Sequence, residues 1–292
     1  MERRIDRRSF LNGAGAFAAG ALLWPSSAWA QQAARVIHPA SARAVDRLKT
    51  RFTFQISVDV SKLEQGLGVA AAALAGGVTI VEMGTPLLKS EGVSNVVPAF
   101  RRKFPDALLL ADMKTMDGGG SEARGVYAGG GNIVDFLALA GVDTAKAICA
   151  VRDEFRRTDA DLSRLVFADI MIPHQGPAAQ AVEVAVRMLE VGVDAVGIHL
   201  QSDARRADPT LIEKNILGDT ARAIFEKVGS IAPVQVVGGL SVAQAKSLAR
   251  AGLRAFVISG NLGQPDGRAR YDLPADEIQR HIAGFIAEVS GA

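Results

Sequence analysis

LEVGVDAVGIHL, residues 189–200, sets the architecture. It begins as the tail of a helix, breaks at Gly192 and continues as an apolar β-type run that ends on His199. Glycine just past a helix is a common stop signal. A short apolar, β-branched run after such a stop reads as a buried strand. The phrase recurs as AGGVTIV (75–81) and ARAGLRAFVI (249–258). Repetition of helix, glycine and strand demands a parallel sheet, because each return to the sheet needs a crossover.

Working outward, eight runs of this kind appear: FTFQISVDV (52–60), GVTIVEMG (77–84), ALLLADMK (107–114), NIVDFLAL (132–139), RLVFADIM (164–171), VDAVGIHL (193–200), APVQVVGG (232–239) and LRAFVISG (253–260). Stretches with helical spacing separate them. SKLEQGLGVAAAALAGG has Ser61 as its expected N-cap and Gly76-Gly77 as its stop, and SVAQAKSLARAGLR runs from Ser241 to Gly252. Eight strands, each followed by a helix, predict an α/β fold, a (β/α)8 TIM barrel, as a single domain over residues 51–292. An open doubly wound sheet is the alternative. It would carry a glycine fingerprint after its first strand, where this chain has Asp59-Val60-Ser61.

Residues 1–30 have a different character. Arg7-Arg8 precede Ser9-Phe10-Leu11, an uncharged segment follows to Trp24, and SSAWA (26–30) supplies an A-x-A cleavage site. RRSFL is similar to the bacterial twin-arginine export signal. The expectation is a signal peptide cleaved after Ala30 and a periplasmic location. A membrane anchor is the alternative, but the apolar run is short and rich in Gly and Ala. Residues 31–50 read as an N-terminal segment with a short helix over 41–49.

Removing residues 1–30 takes four arginines, one glutamate and one aspartate, which leaves basic and acidic residues in equal number. Nothing in that balance asks for nucleic acid or an anionic membrane. A single cysteine, Cys149, excludes an intrachain disulfide.

A TIM barrel builds its active site at the C-terminal ends of its strands. The unexpected polar residues fall there: Asp59 after strand 1, Glu82 after strand 2, Asp112 and Lys114 after strand 3, and His199 after strand 6. Residues i and i+2 of a strand share a face, so Asp112 and Lys114 are expected to point together into the mouth. Asp117 follows on a loop that Gly118-Gly119-Gly120 lets turn sharply. Gly238-Gly239 end strand 7 and Gly260 ends strand 8, where glycine turns let backbone N–H groups approach a phosphate. A histidine near neutral pKa moves protons, and a lysine stabilises developing negative charge.

The motif D-x-K-x-x-D (Asp112, Lys114, Asp117), with TIVEMGTPLLKSEG (79–92), GIHLQSD (197–203) and QVVGGLSVAQA (235–245), resembles the orotidine-5′-phosphate decarboxylase suprafamily. Within it the likeness is to the branch of 3-hexulose-6-phosphate synthase and 3-keto-L-gulonate-6-phosphate decarboxylase, over residues 52–262. The resemblance implies Mg²⁺ on Glu82 and Asp112, and Lys114 against an enediolate. It implies Asp117 reaching across a homodimer interface into the neighbouring site. Asp59 would hold substrate hydroxyls or order the lysine, His199 would shuttle a proton, and Gly238, Gly239 and Gly260 would grip the phosphate of a sugar-phosphate substrate. The expected reaction is Mg²⁺-dependent condensation of formaldehyde with ribulose 5-phosphate, or its reverse. A decarboxylase of the 3-keto-L-gulonate-6-phosphate type, and a non-catalytic periplasmic sugar-phosphate-binding protein, are the alternatives.

Two departures favour the aldehyde-lyase. Ser202 and Asn261 stand where the decarboxylase usually has arginines. Arg268 or Arg270, in the long stretch NLGQPDGRARYDLPADE (261–277), is a candidate to replace a lost cation. The remaining histidines read as peripheral: His174 as a helix-start or loop residue, His38 and His281 as surface residues. Cys149 reads as a small core residue, and Arg101-Arg102-Lys103 as the solvated end of a helix.

Overall fold

The described strands are buried on both faces along most of their length, and the topology supplies the reason. β1 (Thr53–Val58), β2 (Ile80–Met83), β3 (Leu108–Thr115), β4 (Ile133–Leu137), β5 (Leu165–Ile172), β6 (Ala195–Leu200), β7 (Val234–Val237) and β8 (Ala255–Ile258) pair in parallel in chain order. β8 returns to β1 and closes the barrel. This computed structural model describes residues 39–159 and 161–292. The expected signal peptide and His38 lie outside the described residues.

The helices follow the strands as the spacing predicts. In chain order they are α1 (Pro39–Thr50), α2 (Leu63–Ala75), α3 (Thr85–Glu91), α4 (Val93–Lys103), α5 (Gly119–Ala128), α6 (Gly141–Thr158), α7 (Ala178–Val191), α8 (Ser202–Ala207), α9 (Thr210–Glu213), α10 (Ile216–Val228), α11 (Val242–Arg250) and α12 (Ala275–Ser290). The closed parallel barrel excludes the open doubly wound sheet. No described helix is long and apolar enough to cross a membrane.

Two local readings change. α2 takes Lys62, not Ser61, as its N-cap, with no side-chain cap bond. Ser241 of α11, by contrast, caps with a reciprocal Gln244 bond. Arg101 is not part of a solvated face: its guanidinium donates to Gly130 O at 2.9 Å, Pro105 O at 2.7 Å and Ala107 O at 3.0 Å, and also reaches Asn132 Oδ1. It fastens the end of α4 to the turns before β3 and β4. Cys149 is buried in α6 as expected, His174 is exposed, and His281 is half-buried on α12.

The barrel interior is layered, and the layering positions the site. At the floor, Ile80, Leu110, Ile133, Leu165, Phe167 and Ala195 meet Ala44 and Leu48 of α1. The short N-terminal helix is thus a plug for the bottom of the barrel. Ser41 locks it by donating to Arg164 O and accepting from Arg164 N. Two residues further along each strand is one layer higher, on the same inward face. Ile80 leads to Glu82, Leu110 to Asp112, Ile133 to Asp135, Phe167 to Asp169 and Ala195 to Gly197. An apolar floor therefore carries a polar layer directly above it.

Candidate active site

The polar layer opens into a cavity of about 420 Å³ at the C-terminal mouth of the barrel. Asp59, Glu82, Asp112, Lys114, His199, Gly238, Gly239 and Gly260 all line it. Asp117 does not: it is exposed on the loop after β3, where its Oδ1 accepts from Gly118 N at 2.8 Å. The chain gathers eight of the nine expected residues and leaves the ninth outside its own cavity.

Lys114 arrives by a route that strand alternation does not provide. The pairing of β3 with β4 jumps from Asp112↔Asp135 to Thr115↔Phe136, so Met113 and Lys114 bulge out of register. Lys114 has φ 50°, a left-handed conformation that costs a non-glycine residue energy. The bulge re-aims the side chain. Its Nζ donates to both Asp112 oxygens at 2.8 Å and to Asp169 Oδ2 at 3.2 Å. Thr85 Oγ1 holds Asp112 from the other side, at 2.9 Å from both its Oδ2 and its backbone O.

Asp169 carries the network on to His199, whose Nδ1 lies 2.8 Å from Asp169 Oδ2. Burial opposes ionisation of Asp169, but the His199 ring and the Lys114 ammonium outweigh it and hold the carboxyl down at about 2. Lys114 behaves in the complementary way. Burial works against its charge, yet Asp112, Asp169 and Asp135 raise it well above the usual lysine range. Asp135 is buried with its Oδ1 unpartnered, and its carboxyl is pushed well up by burial and by Asp169 and Asp112.

Glu82 sits on a second network. Gln55 Nε2 donates to one of its oxygens, Ser57 Oγ donates to the other at 2.9 Å, and Gln235 Nε2 braces Gln55 Oε1 at 2.8 Å. Ser57 Oγ also lies 2.8 Å from Asp59 Oδ2. Burial, then the neighbouring Asp112 and Asp59 charges, raise Glu82 well above the usual carboxylate range. Asp59 lies at the open rim, and the recess around it raises it too. This end of the cavity is rich in carboxyl groups: Asp59, Glu82, Asp112, Asp135 and Asp169 line it together with Lys114 and His199.

Such a donor set suits a hard divalent cation. No three His, Cys, Asp or Glu side chains among the described residues form a ready metal cage. Mg²⁺ does not require one, since it binds through one or two carboxylates and keeps waters or substrate oxygens for its other positions. Glu82 and Asp112 offer buried carboxylate oxygens, and Glu82 is raised first by burial and then by the neighbouring Asp112 and Asp59.

The opposite end of the cavity is glycine-built. Gly238 (φ 134°) and Gly239 (φ 68°) adopt conformations that favour glycine. Gly260 is small for another reason, since an added Cβ would lie 2.9 Å from the Tyr271 ring. Tyr271 Oη donates to Ser57 O at 2.6 Å and brings the long loop after β8 across to β1. Asn261 spends its amide on Gly239 O, Leu240 O and Gln264 O, joining the turns after β7 and β8. Neither Arg268 nor Arg270 lines the cavity. Arg270 is turned away, bound to Asp266 and to the loop carbonyls of Asn261 and Arg268. The arginines that do line it are Arg205 and Arg206 of α8.

Sequence reasoning missed Gln55, Ser57, Asp135, Asp169, Arg205 and Tyr271. Asp135 and Asp169 carried a usable signal, as lone acids inside apolar runs. Gln55 and Ser57 also broke the first run. Arg205 comes from the short helix α8 and Tyr271 from the loop after β8, and neither stretch has a periodic pattern to place it.

Residues 53–268 match the Orotidine 5'-phosphate decarboxylase / HUMPS family. The chain belongs to that family. A 3-hexulose-6-phosphate synthase of Mycobacterium gastri is 31% identical over 233 residues, covering 78% of this chain and 99% of the relative. One from Methylomonas aminofaciens is 31% identical over 133 residues, or 46% of this chain and 57% of the relative. Among solved structures, a 3-hexulose-6-phosphate synthase superposes with TM-score 0.63 at 26% identity, covering 80% of this chain and 99% of that one. KGPDC from Streptococcus mutans, in a ligand complex, gives TM-score 0.65 at 22% identity, over 82% of this chain and 97% of that one, a likeness of fold. Family and barrel together make the chain a lyase.

Proposed function

We propose that the chain is an aldehyde-lyase of the 3-hexulose-6-phosphate synthase type, which joins formaldehyde to ribulose 5-phosphate or runs the reverse reaction. The observation that carries this reading is the continuous hydrogen-bonded line Asp112–Lys114–Asp169–His199 at the barrel mouth. Carbon–carbon bond formation next to a ketone passes through an enediolate. Such a reaction needs a base for the carbon-bound proton and positive charge for the oxygens.

His199 is the proton carrier in this scheme. Asp169 accepts from Nδ1–H, which fixes the tautomer and leaves Nε2 as the base. Nε2 takes the proton from the carbon beside the ketone. The electron pair forms the enediolate, its carbon attacks formaldehyde, and the new alkoxide takes up the proton that Nε2 carries, which returns His199 to its neutral form. Lys114, locked by two carboxylates, presents its charge to the enediolate with little reorganisation. Glu82 and Asp112 would hold Mg²⁺, which supplies Lewis-acid stabilisation of the same oxygens when bound. Asp59, at the rim, would bind substrate hydroxyls. The glycine turns after β7 and β8 would receive the phosphate.

The same set would also stabilise the enediolate left by CO₂ loss, which keeps decarboxylation of a 3-keto sugar-acid phosphate as the second reading. The absence of arginine at Ser202 and Asn261 weighs against it. Export through the twin-arginine route, with a periplasmic form beginning at Gln31, belongs to the same reading. So does a homodimer in which Asp117 completes the partner's site.

The test is formaldehyde-dependent loss of ribulose 5-phosphate with and without Mg²⁺, with Lys114→Ala as control. Mg²⁺-dependent turnover that vanishes in the variant is expected. No turnover by a folded wild-type protein, or CO₂ release from a 3-keto sugar-acid phosphate in its place, overturns the aldol reading.

A further inference from the structure

The two ends of the cavity differ in how their cations are employed. Lys114, at the acidic end, is committed to Asp112 and Asp169. At the glycine end, Arg206 is exposed and paired with Asp203. Arg205 is half-buried and, among the described residues, pairs with no carboxylate. Its Nη1 donates to Gly238 O at 3.0 Å. A Cβ added to Gly239 would lie 2.4 Å from the same Nη1, and one added to Gly267 would lie 3.9 Å from Nη2. The guanidinium therefore sits in the slot between the β7 turn and the β8 loop.

A guanidinium has five N–H donors, and most of Arg205's have no acceptor in the slot. Burial and the neighbouring Arg206 both press against its charge. A partly desolvated cation without a counter-charge, facing a cavity, is costly unless an anion arrives. The other candidates for that anion are spent: Asn261 on backbone carbonyls, Arg270 on Asp266.

We propose that Arg205 binds the terminal phosphate of the substrate. The inference rests on the reading of the site given above. It adds the side chain that holds the phosphate. That phosphate lies at Arg205 and the reacting carbon at Lys114. A planar fork held edge-on to an anion forms paired, charge-assisted bonds that lysine cannot copy.

The experiment measures binding by calorimetry for ribulose 5-phosphate, inorganic phosphate and unphosphorylated ribulose, alongside KM and kcat. Arg205→Ala, Arg205→Lys, Arg206→Ala and Arg268→Ala are compared with wild type, each checked for an unchanged melting transition. Arg205→Ala is expected to weaken both phosphate ligands about 10- to 100-fold, the range for hydrogen bonds to charged groups. Ribulose affinity should stay unchanged, and KM should rise more than kcat falls. Arg205→Lys should recover part of the loss, while Arg206→Ala and Arg268→Ala stay near wild type. Equal weakening of phosphorylated and unphosphorylated sugar overturns the proposal, as does wild-type phosphate affinity in Arg205→Ala or a larger loss in Arg206→Ala or Arg268→Ala. Phosphate binding that depends on Arg205 without turnover of ribulose 5-phosphate sustains this inference and sinks the aldol reading alone.

Discussion

Asp169 Oδ2 stands 2.8 Å from His199 Nδ1 and holds the ring in one orientation. The same oxygen lies 3.2 Å from Lys114 Nζ, so a single buried carboxylate sets both the proton carrier and the fixed cation. Asp169→Asn keeps the shape but offers the ring an amide in place of an anion. It should lower kcat by about 10²-fold or more, the scale of general acid–base assistance, and alter the pH profile of kcat. A kcat within a few-fold of wild type would show that His199 needs no anchor.

The acid cluster makes stability depend on pH with a sign that can be worked out. Glu82 is raised above its ordinary 4.5 and Asp59 above its ordinary 3.8. The folded state then holds more protons than the unfolded one, so their contribution favours folding at low pH and is lost as pH rises through the folded values. Asp169, held at about 2, works oppositely: its contribution is present above 3.8 and is lost as pH falls toward 2. Mg²⁺ should therefore raise the melting temperature more at pH 8 than at pH 5. At a concentration 100 times its Kd, the gain is about 2.7 kcal/mol. Glu82→Gln should abolish that response while making the metal-free protein more stable at pH 8. A Mg²⁺ shift that survives Glu82→Gln would move the cation elsewhere.

Gly84 is a packing requirement of the site. A Cβ there would come within 2.3 Å of Asp59 Oδ1 and 2.7 Å of Val58 O. The Val58 carbonyl cannot retreat, because it accepts from Gly84 N at 3.2 Å. Gly84→Ala should cost about 1–3 kcal/mol, the range for overpacking, and displace Asp59 from the rim. Denaturant melts and KM measurements check the two effects separately. A variant with unchanged stability would mean that β1 and β2 can part more easily than their pairing implies.

Much of the barrel was legible because its strands are buried on both faces, so they stand out as unbroken apolar runs between glycine stops. Asp59, Glu82, Asp112, Lys114 and His199 were legible because they end such runs. Asp135 and Asp169 needed one further fact, the position of the floor. Once Ile133 and Phe167 are known to meet α1's layer, their neighbours two residues on must face the cavity. The bulge at Met113–Lys114 left no trace, because a lysine at positive φ carries no compositional mark. The aim of Arg205 and Tyr271 depends on the course of loops, which hydrophobic periodicity does not encode.

Asp117 poses the last question, since it stays outside the cavity that its motif partners share. It is exposed at the start of α5, beside the exposed Met116, while Leu139 is exposed on the following strand's loop. If Asp117 serves the partner's site, Asp117→Ala and Lys114→Ala should each be inactive alone yet complement when mixed. In a mixed dimer, the site with an intact Lys114 receives Asp117 from the other chain, whereas the second site lacks both. Random pairing gives half mixed dimers with one working site each, so activity should return to about a quarter of wild type. The mixture has to be refolded or co-expressed so that subunits exchange, and sedimentation confirms the dimer. Two inactive variants that stay inactive together, in a confirmed mixed dimer, would place Asp117 in its own chain's chemistry or outside the reaction.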